Sequence, residues 1–291
     1  MFPYKDDNPT ELPAIVTVGV IAANVLVWLF AQGMGAAEPL TRSVCSLGLI
    51  PGEVLRTAKP GSGVELAPGM VCLVKAVPNY WTVLTSMFTH GSWLHLLGNM
   101  LFLWVFGNNI EDAMGHGRFV VFYLLCGVAA AATQVFISPH SIVPMVGASG
   151  AISGVLGAYL LLYPRVRVHT LIILPIYITS VALPAYVMLG YWALLQVVGG
   201  LGSLTALEKG GVAFFAHIGG FAFGVLTVFL VSKRRPLHVL SPGDGRRGRE
   251  FRGFRPIRAV RRVITVLNVI AVAAAVVGAL VLVFFFLGPR E

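Results

Sequence analysis

The chain has 291 residues, of which 57% are apolar and only 11% charged, with a mean hydropathy of +0.83. Water-soluble domains carry roughly a quarter charged residues, so this composition excludes a disordered chain, an ordinary nucleic-acid-binding domain and a secreted disulfide scaffold. The net charge of +9 comes from one stretch: residues 233–262 hold 11 basic side chains against Asp244 and Glu250, and the rest of the chain is balanced.

Six windows carry no charge at all: 12–37, 76–110, 119–164, 168–207, 210–232 and 263–289. A helix crossing the hydrocarbon needs about 20 apolar residues at about 1.5 Å each. The first window follows Asp6, Asp7 and Glu11, acids where a signal peptide has a positive region, so 14–32 reads as a retained helix after a short cytoplasmic segment, 1–13. Residues 33–80 form a long external loop, rich in Pro and Gly, that holds Cys45 and Cys72. An oxidising exterior would allow these two to pair; their spacing is equally compatible with two free thiols. Cys126 falls inside a span.

The second window gives one span beginning near Ser92. The third is long enough for two, turning at Ser138-Pro139-His140 and Pro144. The fourth is ambiguous by length, and charge decides it. Arg165, Arg167 and the 233–262 stretch belong on the cytoplasmic side, so an even number of crossings separates them. With one crossing at 210–232, residues 168–207 supply one more: a bent or interfacial segment around Pro175 and Pro184, then a helix near 183–201. The stretch 233–262 reads as an orientation signal and cytoplasmic linker, in preference to a site for anionic lipid or, through its Arg-Gly pairs, RNA. A last span covers 263–287. The expected fold class is an all-α polytopic membrane protein of seven spans, N-terminus inside and C-terminus outside.

Polar groups inside a span are costly and usually functional. Three spans, all expected to run from outside to inside, carry them within about 10 Å of the outer surface. The second holds His95 and Asn99, four residues apart and so on one face; alone, they would read as a polar clasp between helices. The fourth opens at Gly147-Ala148-Ser149-Gly150, where glycine permits a tight turn and the helix start offers free N–H groups and the positive end of its dipole. Alone, Ser149 would read as a cap. The sixth carries His217 in Ala216-His217-Ile218-Gly219-Gly220, with Gly224 beyond; alone, His217 would read as bonded to a neighbouring carbonyl.

Gly220 and Gly224 match a small face of Gly150, Gly154 and Ala158 on the fourth span, and such faces let helices approach closely. That approach would bring His217 Nε2 to the Ser149 hydroxyl. Both His95 and Asn99 can donate toward one point, and four polar groups at one depth, with small residues to close the gap, count against the separate bland readings taken together. No Cys-x-x-Cys or His-Glu-x-x-His spacing occurs, and neither a metal nor a cofactor is expected.

With these residues in place, the chain resembles the rhomboid intramembrane serine proteases over roughly residues 80–232. His95-Leu96-Leu97-Gly98-Asn99 is similar to the family's His-x-x-x-Asn, Gly147-Ala148-Ser149-Gly150 to its Gly-x-Ser-Gly, and Ala216-His217-Ile218-Gly219-Gly220 to its Ala-His-x-Gly-Gly. Gly107-Asn108-Asn109-Ile110-Glu111 is similar to the segment ending in the family's structural glutamate, and His90 to a histidine that braces the external loop. There are two departures. Trp81 is followed by Thr82, not Arg, so no arginine role is carried over. Ser153 stands where some relatives place a Tyr that stacks on the histidine, which leaves His217 to be oriented by other packing.

The resemblance implies a six-helix catalytic core over 14–232 with one added helix. It implies Ser149 as nucleophile, His217 as general base without a third triad member, and an oxyanion site of the Ser149 N–H, His95 and Asn99. Gly147, Gly150, Gly220, Gly224, His90 and Glu111 would be structural. The implied substrates are transmembrane segments of membrane proteins, cut near the outer face after a small residue; the partners are those proteins and membrane lipid, and no nucleic acid. The expected location is the bacterial plasma membrane. Two rivals stand beside this reading. A non-catalytic, client-binding rhomboid-like protein would lack the serine or the histidine. A transporter using His95, Asn99 and His217 as a polar relay would show inverted repeats, and none is evident.

Overall fold

A computed structural model describes residues 2–67, 70–174, 177–205 and 212–232. The expected linker 233–262 and seventh span 263–287 lie outside the described residues. In chain order the elements are β1 (Phe2–Asp6), α1 (Ile15–Leu26) with a π-turn over Val27–Ala31, α2 (Ala37–Leu47), α3 (Pro51–Val54), β2 (Gly63–Ala67) and β3 (Met70–Leu73). There follow α4 (Thr82–Thr85), α5 (Trp93–Met114), α6 (His116–Ile137), α7 (Ser149–Leu162), β4 (Arg167–Leu174), β5 (Tyr177–Pro184), α8 (Ala185–Thr205) and α9 (Phe214–Val231). By length and composition α6, α8 and α9 can cross a membrane, while Ile15–Ala31 and α7 are shorter apolar helices.

The molecule is mostly helical, but the expectation of an all-α fold needs correcting. Strands β1, β4 and β5 form an antiparallel sheet in the order β1-β4-β5, with Asp6 opposite Val168 and Arg167 opposite Pro184. The segment expected to be bent or interfacial is therefore a hairpin. Counting uncharged residues cannot distinguish a β-branched run such as Val168, Thr170 and Ile172 from the start of a helix, whereas branched side chains favour the pleated strand. Residues 33–80 are also built: β2 pairs with β3, and Cys45 on α2 is disulfide-bonded to Cys72 on β3, their Cα atoms 5.2 Å apart. Buried Glu53 accepts the backbone N–H groups of Lys75 at 2.9 Å and Asn79 at 3.4 Å.

Caps from distant residues set the helix positions. Ser92 caps α5 by accepting the His95 N–H at 3.1 Å. At the other end of α5, Gly115 has φ 79°, a left-handed value that glycine adopts without a Cβ penalty, and α6 starts at the next residue. Ala14 offers α1 no side-chain cap. Glu111 supplies it instead, accepting the N–H groups of Val16 at 2.9 Å and Thr17 at 2.8 Å and the Thr17 hydroxyl at 2.7 Å. Beside it, the Asp6 carboxylate accepts the Tyr159 hydroxyl at 2.5 Å and the Asn109 amide at 2.8 Å, which ties the sheet to α5 and α7.

The core runs between α5, α6 and α7, with Leu103, Phe106, Phe119 and Tyr159 fully buried and the Phe106 and Tyr159 rings edge to face at 4.9 Å. At three glycines, helices α7 and α9 meet main chain against main chain. A Cβ on Gly220 would collide with the Gly150 carbonyl oxygen, one on Gly224 with the Gly154 carbonyl oxygen, and one on Gly157 with the Phe221 carbonyl oxygen. Ala158 on the same helix is fully buried.

Candidate active site

Two polar side chains from separate helices meet where α7 begins. Ser149 is the first residue of α7, and its Oγ lies 2.7 Å from Nε2 of His217, on the first turn of α9. The glycine contacts of Gly150 with Gly220 sit directly beside this pair and set the separation of the two backbones. Gln134 on α6 fixes the start of α9, its Oε1 accepting the Ala216 N–H at 3.2 Å.

Gly147, with φ 120°, faces His95 and Asn99. A Cβ there would stand 2.7 Å from His95 Nε2 and 3.5 Å from Asn99 Nδ2, so only a glycine lets the backbone approach these two side chains so closely. Asn99 Nδ2 is buried with no hydrogen-bond partner among the described residues. A buried donor without a partner is unfavourable by about 1–3 kcal/mol, and it is ready for an incoming acceptor. Gly147 is held from outside the site: its N–H donates to the Ser86 carbonyl at 2.8 Å, and nearby Met145 exchanges two backbone hydrogen bonds with Leu49 of the long loop. His95, Asn99, Gly147, Ser149, Trp192 and His217 line a common cavity of about 610 Å³.

His90 is fully buried at the start of α5, edge to face with His95 at 5.1 Å. Its backbone N–H and carbonyl pair with the Gln32 side chain at 2.8 and 2.7 Å, joining the end of α1 to the site. Burial, reinforced by the neighbouring His95, lowers the His90 pKa to about 3, so the ring is neutral. Glu111 takes no part in the cavity; it lies at the far end of α5, on α1.

The sequence reading leaves His217 without an orienting partner, and the structure supplies two, both on α8. Gln196 Oε1 lies 2.7 Å from His217 Nδ1, and the Trp192 ring packs against the imidazole with centroids 6.0 Å apart. Neither residue is charged, so marking charges passes over both. Ser153, where a stacking Tyr is absent, turns its hydroxyl back to the Ser149 carbonyl at 2.6 Å. Among the described residues no group of three or more His, Cys, Asp or Glu side chains could hold a metal ion.

Comparison with known proteins agrees with this architecture. The rhomboid domain family model matches residues 77–234. Rhomboid protein 1, mitochondrial, of Saccharomyces cerevisiae is 32% identical over 157 residues, covering 52% of this chain and 42% of that protein. Rhomboid protease GluP of Bacillus subtilis is 41% identical over 81 residues, 28% of this chain and 15% of its own length. The human presenilin-associated rhomboid-like protein, mitochondrial, is 27% identical over 216 residues, 71% of this chain and 46% of that protein. The chain thus spans less than half the length of each of these relatives. A match over more than half of the chain, together with its apolar helices, makes it a membrane protein that belongs to the rhomboid family.

Proposed function

We propose that this protein is an intramembrane serine endopeptidase that cuts transmembrane segments of other membrane proteins through a Ser149–His217 dyad. The observation that carries the reading is the 2.7 Å contact between His217 Nε2 and Ser149 Oγ, in a cavity that His95 and Asn99 also line. In this reading Ser149 Oγ attacks the peptide carbonyl while His217 Nε2 takes its proton. The carbonyl π electrons move onto oxygen, and the resulting oxyanion accepts hydrogen bonds from the Ser149 N–H, His95 and Asn99. As the C–N bond breaks, His217 gives the proton to the leaving amine. Water then attacks the acyl-enzyme, passing one proton to His217, and Ser149 is regenerated as the acid product leaves.

The cavity has room for an unwound peptide, which favours substrate helices weakened by Gly or Pro. The helices α1 and α5–α9 are the proposed six crossings, with 263–287 a seventh. The N-terminus then faces the cytoplasm and the dyad lies near the outer face of a bacterial plasma membrane. The Cys45–Cys72 disulfide supports that orientation, since disulfides persist on the oxidising side and this one belongs to the loop that pairs with Met145 beside the site.

The test is cleavage of a fluorogenic transmembrane substrate by the purified protein in detergent. Ser149→Ala and His217→Ala are each expected to abolish turnover. Undiminished cleavage by either variant removes the dyad.

A further inference from the structure

The imidazole of His217 can serve as a base toward Ser149 only when Nε2 is bare and the single ring proton sits on Nδ1. Which nitrogen carries the proton is decided by the partner of the other nitrogen. That partner is Gln196, whose Oε1 faces Nδ1 at 2.7 Å. The amide is held in this sense because its Nε2 donates to the Trp192 carbonyl at 3.3 Å, one turn back on α8. An amide oxygen accepts and cannot donate, so Nδ1 must be the donor and Nε2 is left to accept from the Ser149 hydroxyl.

Resting on the protease reading, we propose that Gln196 is a positioning residue of the dyad: it fixes the tautomer and plane of His217 and stabilises the imidazolium formed when Ser149 gives up its proton. Three features of α8 combine to do this. Gln196 holds the ring edge, Trp192 lies tilted by 37° against the ring with centroids 6.0 Å apart, and Gly199 lets α8 approach so closely that a Cβ there would run into the Phe214 ring at the start of α9. A neutral acceptor suits this setting. It orients the base without placing a second, costly charge among apolar helices.

The proposal is tested with Gln196→Met, which removes the acceptor at similar volume, and Gln196→Glu, which keeps an oxygen in place. Gln196→Met is expected to lower kcat about tenfold to a hundredfold, less than the roughly 10²–10⁴ of a whole general acid–base effect because the base itself remains, while KM is unchanged. Gln196→Glu is expected to retain most of kcat and to move the acid limb of the pH–rate profile to higher pH. Nitrogen-15 spectra of histidine-labelled protein should show His217 protonated at Nδ1 in the wild type and as a tautomer mixture in Gln196→Met. Ser149-dependent cleavage with an unaltered kcat in Gln196→Met, or a change confined to KM, overturns the proposal and leaves the dyad standing. Should Gln196→Met not fold, a wild-type resting state protonated at Nε2 overturns it equally. Cleavage independent of Ser149 overturns the protease reading and this role with it.

Discussion

Asn99 lines the cavity, and its Nδ2 is buried beside Gly147 with no acceptor among the described residues. A donor kept idle in the resting site contributes only when negative charge develops, so its loss should appear in kcat and hardly in KM. Asn99→Ala is therefore expected to lower kcat by about 10²–10³, measured against the same substrate at saturation. At this scale much of the site is legible in the sequence. Ser149, His217, His95 and Asn99 stand out because they fall at one depth in three spans expected to run the same way, and the small residues of two spans suggest which helices meet. Gln196 and Trp192 are not legible in the same way. Gln196 lies 21 positions before His217 on a helix outside the three spans singled out, and only the packing of α8 on α9 brings the two together.

Strand β1 is the element that the sequence hides most completely. Its five residues, Phe2–Asp6, carry no strong periodic signal, and they become a strand because the β4–β5 hairpin offers an edge to pair with. The same element holds the most telling titratable group outside the spans. Burial raises the Asp6 carboxyl from 3.8 to about 6, outweighing the hydrogen bonds from Tyr159 and Asn109 that favour its charged form. Because the folded state binds this proton more tightly than the unfolded chain, ionised Asp6 disfavours folding, and the penalty is complete above about pH 6. It is relieved as pH falls from about 6 toward 3.8, and is absent below both values. Asp6→Asn is accordingly expected to raise the melting temperature at pH 7 and to remove this group's gain in stability between pH 7 and pH 5, as followed by thermal unfolding in detergent.

Over the whole molecule the two ends of the bundle are built differently. One end holds the sheet, Asp6 and the Glu111 cap on α1; the other holds the disulfide-closed loop and the Ser149–His217 contact. Counting charges anticipates the loop and the helices that follow it, but not the order within the loop, because the Pro and Gly content of 33–80 gives no hint that Leu49 pairs with Met145. The disulfide joins residues 27 apart, a closure that restricts the unfolded chain by about 3.5 kcal/mol. Cys72→Ser, or reduction of the native protein, is expected to lower thermal stability and, through the Leu49–Met145 pairing beside Gly147, to lower turnover as well. Both are read by comparing melting curves and cleavage with and without reductant.

The glycine-lined seam between α7 and α9 has a consequence for how the chain can drift over evolutionary time. A boundary made of main chain against main chain has no rotamers to adjust, so a methyl group added at Gly220 or Gly224 cannot be absorbed by a neighbour and must push the helices apart. Ser149 and His217 ride on opposite sides of that boundary. Inheritable variation should therefore collect on the outward flanks of these two helices, leaving a narrow invariant stripe whose purpose is spacing rather than chemistry.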